Sequence, residues 1–194
     1  MYRLMYRVGF TPWDTGEVPA ELSAVVDGPQ ALRPGRALDI GCGTGAQAVY
    51  LARNGWQVTA IDAVSRPLAR ARARAAAAGV EVDWIEASVA RLAELWLAPG
   101  FALVFDRGCF HGLSDDERAA YAASVTALAA PGATLLLMAF APNRILVAPA
   151  GAEQSELEGR FAEWELIGAA RDIGGEISGP LRNVPRTWYR FRRR

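Results

Sequence analysis

The spacing most able to do chemistry in this 194-residue chain is Gly41-Cys42-Gly43-Thr44-Gly45, three glycines at alternate positions. Such a run lets the backbone close on a ligand with no Cβ between. Where it opens a helix, it aims free N–H groups at whatever sits there. Asp39 precedes the first glycine by two residues, and Asp62 ends the next apolar run, Val58-Thr59-Ala60-Ile61. A carboxylate at that second point is placed to take two ribose hydroxyls. Gly41, Gly43 and Ala46 formally satisfy the dinucleotide fingerprint, which alone is weak evidence for a nicotinamide cofactor. A second stretch, Asp106-Arg107-Gly108-Cys109-Phe110-His111, holds the chain's single histidine. The ordinary pKa of histidine makes His111 usable as a general base or orienting donor; lining a pocket, or no role in the site, are the other readings.

These residues need strands and helices to hold them in place. Apolar runs predict strands at 36–40, 56–61, 101–105 and 133–140, and alternation predicts others at 80–85 and 187–191. A further strand is expected at 164–170. Helices are expected at 19–31, with Pro19 in the first turn, and at 45–54, 66–78, 114–130 and 152–162. Ser65 is a candidate cap, Gly79 a stop, and Ser114-Asp115-Asp116-Glu117 a capping box. Strand–helix alternation of this kind specifies a three-layer α/β fold with a mainly parallel sheet, the last strand antiparallel. Ligands of such sheets bind outside the carboxyl ends of the strands. Both chemical stretches leave strands at that edge, as does the loop 141–151.

Composition bounds the rest. The chain is 52% hydrophobic and 22% charged, which is a globular balance that suits one domain over 1–194. Its formal net charge is zero, and all 21 basic residues are arginine. No lysine is present to act as a Schiff base or general base, and no global field draws in nucleic acid. Arg70, Arg72 and Arg74 alternate with alanine and spread around a helix, so they predict a solvated surface. Arg192-Arg193-Arg194 predicts a frayed, solvated end, too short a cluster for stable membrane association. Cys42 and Cys109 fit neither a disulfide framework nor zinc spacing. No second acidic residue stands at ligand spacing from Asp106, so no metal is expected. Met1 to Arg7 lacks the apolar stretch of a signal peptide, and a cytoplasmic protein is expected.

Asp39-x-Gly41-x-Gly43-x-Gly45, with Asp62 after the second strand, resembles the first motifs of class I S-adenosylmethionine-dependent methyltransferases. Trp13-Asp14-Thr15-Gly16 and Asp106-Arg107-Gly108 resemble the thiopurine and thiol methyltransferase branch, whose bacterial members methylate heterocyclic toxins. The resemblance implies a three-layer Rossmann-like fold on a seven-stranded sheet and S-adenosylmethionine as cofactor. It implies that Asp39 helps hold the methionine ammonium, that Gly41, Cys42, Gly43 and Gly45 close on the cofactor, and that Asp62, with Ala63 beside it, takes the ribose. Ser88 stands where these enzymes often carry an acidic residue for the adenine amino group, and Val89 offers its N–H and side chain to the ring. Trp13 belongs to a lid, here residues 1–18, and Asp106 fixes the methionine end or the loop backbone.

The acceptor implied is a small thiol or an aromatic heterocycle carrying S, O or N. Phe10, Arg107, Phe110, His111 and Phe140 are the candidate residues for it, and His111 and Asp106 the candidate catalytic pair. The Asn/Asp-Pro-Pro-aromatic signature of base and amide N-methyltransferases is absent. O-methylation of a lipid or carboxylic acid, or a non-catalytic nucleotide-binding module, are the alternatives. An NAD oxidoreductase is disfavoured because no Tyr-x-x-x-Lys pair exists.

Overall fold

The computed structural model describes residues 16–143, 145, 150–174 and 182–194. Its seven strands are β1 (Arg36–Ile40), β2 (Gln57–Asp62), β3 (Asp83–Glu86), β4 (Phe101–Arg107), β5 (Ala129–Phe140), β6 (Trp164–Arg171) and β7 (Arg186–Arg193). The helices are α1 (Ala20–Val26), α2 (Ala46–Arg53), α3 (Ser65–Ala78), α4 (Asp115–Leu128) and α5 (Gln154–Arg160), with short 3-10 segments at Val89–Leu95 and Phe110–Gly112. The strand order is β3-β2-β1-β4-β5-β7-β6. Strands β1–β2, β2–β3 and β4–β5 pair in parallel, whereas β7 runs antiparallel to both β5 and β6. This is the Rossmann-like arrangement expected, with the antiparallel strand last in the chain.

The chain divides into two compact units, residues 1–88 and 89–194. In the first, Leu38 and Ile40 of β1, Ile61 of β2, Leu51 of α2 and Leu68 of α3 are wholly buried. The apolar run of each strand therefore has covered faces, as parallel strands require. Arg70, Arg72 and Arg74 are exposed on α3, as their spacing predicts. Ser65 is not the cap of α3: Val64 occupies that position, with no side-chain hydrogen bond. Helix α3 stops at Gly79, whose φ of 66° is the left-handed conformation a glycine C-cap supplies.

In the second unit, Phe161 packs among Phe110, Tyr121, Trp164 and Phe191 at centroid distances of 6.1, 6.4, 6.2 and 5.7 Å. Helix α4 starts on the capping box, with the Ser114 N–H donating to Glu117 Oε2 at 2.8 Å. Strand β7 extends further than its alternation suggests. The Arg192 and Arg193 side chains pair with Glu165 and Glu163 at 2.6 and 2.9 Å, and the Arg194 N–H donates to the Glu163 carbonyl at 3.1 Å. The arginine-rich end is thus held beside β6, not frayed.

Candidate active site

The glycine run of the first unit joins the carboxyl end of β1 to α2. Gly41, Gly43 and Gly45 all have positive φ, 72°, 53° and 75°. Four N–H groups of this turn are taken up within the protein. Those of Gly41 and Cys42 donate to the Ile61 carbonyl at 2.8 and 3.0 Å, and that of Gly45 to the Cys42 carbonyl at 2.9 Å. The Gly43 N–H donates to Asp62 Oδ2 at 3.0 Å. What the loop presents is therefore a backbone fastened to the end of β2, with Asp62 as the fastener.

Asp62 is buried, and its Oδ1 accepts from the Val64 N–H at 2.9 Å. Burial raises its pKa; the N–H groups of Gly43, Val64 and Ala63 pull the other way, and Glu86 adds to the rise. A carboxylate oxygen has more than one lone pair, so both oxygens keep capacity for hydroxyl donors. Asp39 is buried at the end of β1. The Cys42 thiol is pushed far up by burial, then by Asp39 and Asp62, so it stays protonated and is no nucleophile.

Gly45 serves packing. A Cβ there would lie 2.5 Å from the Trp84 ring and 2.7 Å from Ala71 Cβ. Its missing side chain lets α2 start against α3 and β3. Ala63 and Ser88 are half-buried and near strand ends; Val89, buried, opens the second unit. Trp13 and Phe10 lie outside the described residues. Of the expected lid, residues 16–18 are described, and the Glu17 carbonyl accepts from Gln47 Nε2 of α2 at 2.8 Å. A groove of about 780 Å³ lined by Trp56, Arg72 and Trp84, among others, lies toward the amino ends of β2 and β3, away from the glycine loop.

In the second unit, Asp106 is completely buried at the end of β4. Its Oδ1 accepts from the Cys109 N–H at 2.6 Å; its Oδ2 accepts from the Phe110 N–H at 3.0 Å and the Tyr121 hydroxyl at 2.7 Å. Burial pushes its pKa up to about 6 against those donors. Asp106 is consequently a knot that fixes the backbone of the loop after β4, one of the two roles expected of it.

His111 is 1% exposed, and its Nδ1 accepts from the Phe140 N–H at 3.3 Å. Its ring meets that of Phe140 edge to face at 4.8 Å. Burial, reinforced by the Arg118 charge, pushes its pKa down to about 3 against a hydrogen bond to the Met138 backbone. It is a core histidine joining the ends of β4 and β5, and the lone pair of its Nδ1 is taken up by a backbone N–H. Phe110 is also core: it is fully buried, 5.6 Å from Tyr121 and 5.1 Å from the Arg118 guanidinium. Phe140, 5% exposed, backs His111. Arg107 is half-buried, with Gly108 and Cys109 beside it.

Two residues of α4 that sequence reasoning passed over complete this region, Tyr121 on Asp106 and the buried Arg118. Their three-residue spacing puts them on one helix face. An arginine on the same face as a tyrosine among alanines was the available signal.

Comparison with known proteins follows the same lines. Residues 37–132 match a family model described as a methyltransferase domain. A 2-heptyl-1-hydroxyquinolin-4(1H)-one methyltransferase of Mycobacteroides abscessus is 30% identical over 130 residues, 66% of this chain and 56% of that protein. The chain thus spans little more than half the length of that curated relative. A solved structure concerned with conversion of a disulfide bond into a thioacetal group during echinomycin biosynthesis has a TM-score of 0.77 and 26% identity, over 99% of this chain and 91% of the other. The 1,6-didemethyltoxoflavin-N1-methyltransferase of Burkholderia thailandensis, solved with 1,6-didemethyltoxoflavin and S-adenosylhomocysteine, also has a TM-score of 0.77, at 23% identity over 99% and 85% of the chains. Residues 37–132 are thus a methyltransferase domain, and the seven-stranded sheet is that of the Rossmann-like methyltransferase fold.

Proposed function

We infer that this protein transfers the methyl group of S-adenosylmethionine to a heteroatom of a small aromatic heterocycle or thiol. The observation carrying the cofactor half is the Asp62 clamp: a buried carboxylate, oriented by backbone N–H groups, beside a turn with three positive-φ glycines. That donor set fits a nucleoside. Asp62 holds the ribose hydroxyls on its remaining lone pairs, and Asp39 meets the methionine ammonium. Ser88 and Val89 meet the adenine.

When bound, S-adenosylmethionine supplies a methyl carbon made electrophilic by its sulfonium. The protein's part is alignment, which can lower a barrier by about 7–11 kcal/mol. The acceptor half follows from which side chains can hold a proton. Among the described residues of the two chemical stretches, His111 is buried and resists protonation, Asp106 is fully hydrogen-bonded, and the Cys42 thiol is buried. None is placed to take a proton from an incoming hydroxyl. An acceptor that arrives already nucleophilic, as a thiolate, an ionised N-hydroxy or phenolic oxygen, or a ring nitrogen, asks for no such base. This favours the heterocycle or thiol over an aliphatic alcohol. The relative named as a 2-heptyl-1-hydroxyquinolin-4(1H)-one methyltransferase supports the same class.

Calorimetric titration with S-adenosylhomocysteine, beside NAD and NADP, tests the cofactor. Binding of the first alone, abolished in Asp62→Ala, is expected; binding of a nicotinamide cofactor, or of nothing, would overturn it. Methyl transfer to 2-heptyl-1-hydroxyquinolin-4(1H)-one and to a series of aromatic thiols tests the acceptor. The rising limb of the pH–rate profile should shift with each acceptor's own pKa.

A further inference from the structure

The geometry points to Arg118 as the positioning residue that sets the acceptor side of the site, by locking the loop after β4 to the segment that follows β5. The assignment rests on the methyltransfer reading for the word acceptor, but not for the lock itself.

Arg118 projects from α4 and is 7% exposed. Its guanidinium is saturated. Nε donates to the Leu113 carbonyl at 3.0 Å, and Nη2 to the carbonyls of His111 and Gly151 at 3.0 and 2.7 Å. Nη1 meets both carboxylate oxygens of Glu156 at 2.9 Å, and the cation lies 5.1 Å from the centroid of the Phe110 ring. A buried guanidinium tolerates its loss of water only when its donors are satisfied and its charge is matched. Glu156 supplies the match and also accepts from Arg160 Nε at 3.0 Å.

The carbonyls chosen matter more than their number. His111 and Leu113 belong to the loop leaving β4, and Gly151 to the stretch returning after β5. The same two stretches are joined again by the Phe140 N–H on His111 Nδ1 at 3.3 Å and the Ala152 N–H on the Phe140 carbonyl at 2.9 Å. Gly151 has a φ of 84°, and a Cβ there would stand 2.3 Å from the Ala141 oxygen, so this meeting point has no slack. The faces left partly open on either side are Arg107, Gly108 and Cys109 on one flank and Ala141, Asn143 and Ile145 on the other. At the carboxyl ends of β4 and β5, these are the surfaces an acceptor would touch. Arg118 ties the backbone behind both flanks through the carbonyls of His111, Leu113 and Gly151.

Lysine cannot replace it. An ammonium has three donors on a flexible stem and cannot span three carbonyls and a carboxylate in the planar fork that arginine provides. Two variants separate the possibilities, Arg118→Lys and the milder Glu156→Gln, each first shown to unfold cooperatively. Hydrogen exchange read by mass spectrometry should show peptides over 107–113 and 150–157 losing protection together, by tenfold or more in Arg118→Lys, while those over 41–48 are unchanged. With 2-heptyl-1-hydroxyquinolin-4(1H)-one as the acceptor probe, KM should rise at least tenfold. The dissociation constant for S-adenosylhomocysteine should move less than twofold. Glu156→Gln should give the same pattern at smaller size.

Loosening of one segment without the other would overturn the lock. Equal losses of acceptor and S-adenosylhomocysteine affinity would overturn the assignment to the acceptor side and leave a general structural role. If the unaltered protein binds no S-adenosylhomocysteine and turns over no probe, the methyltransfer reading fails, and the exchange experiment still decides whether Arg118 locks the two segments.

Discussion

Replacing His111 with asparagine should change how stability depends on pH more than it changes stability at neutral pH. Asparagine can present its amide oxygen near the place of Nδ1, opposite the Phe140 N–H, and has no proton to gain in the working range. In the native protein the imidazole pKa is pushed down to about 3, whereas the unfolded chain has the ordinary value of about 6.5. The folded value is depressed, so the neutral ring's contribution is fully present above pH 6.5 and is lost as pH falls toward the folded value. The loss runs at about 1.4 kcal/mol per pH unit. Between pH 7.5 and 5.0 it amounts to about 2 kcal/mol, and it hardly depends on the folded value while that stays below about 4.

Asp106 acts in the opposite sense. Its folded pKa is raised to about 6, so the native state takes up that proton before the unfolded chain does. Stability is gained as pH falls from about 6 toward the ordinary carboxylate range. The two groups nearly cancel in the wild type over that interval, which is why the comparison must be between proteins. Asp106 is common to both, and the difference isolates the histidine. Urea unfolding followed by circular dichroism at pH 7.5 and 5.0 gives the four free energies. The wild type should lose about 2 kcal/mol more than His111→Asn over this range. Equal losses would mean that His111 titrates normally, and the argument against its acting as a base would fall with the burial on which it rests.

Three further substitutions check other parts of the structure. Gly45→Ala should lower stability by more than about 2 kcal/mol, since it combines a left-handed φ with a collision against the Trp84 ring; a denaturation midpoint within error of wild type would contradict this packing role. Tyr121→Phe removes one of the donors on a buried carboxylate and should cost about 1–3 kcal/mol while raising the Asp106 pKa further, seen as a steeper fall in stability from pH 5 to 7. Ser114→Ala takes away half of the capping box on α4 and should cost about 0.5–2 kcal/mol, with no effect on S-adenosylhomocysteine binding by calorimetry.

The fold was legible because its signals are local. Val58 to Ile61 and Leu135 to Phe140 are apolar runs of strand length, and Ser114 to Glu117 and Gly79 mark helix ends by their own chemistry. The glycine turn was legible for the same reason. What could not be read was the direction in which a loop side chain points, since that is decided by partners far along the chain. His111 looked available until the Phe140 N–H, 29 residues away, was found on its ring. Asp106 looked catalytic because a carboxylate at the end of a strand often is; Tyr121, 15 residues on, and three nearby N–H groups hold it. The third glycine of the run likewise answers to Trp84 and Ala71, residues no motif would associate with it. Spacing locates a loop at the functional edge, and long-range packing decides which of its side chains face that edge.

Cys42 gives the glycine turn a built-in clock. Its thiol is 5% exposed and held protonated, so an alkylating reagent can reach a reactive form only when the turn opens. Native-state alkylation rates at this single sulfur, set against those in urea, therefore measure the opening free energy of the turn itself, apart from global unfolding. A small molecule that rests on the turn will slow the clock, and a compound library could be ranked by that delay before a methyl acceptor has been identified.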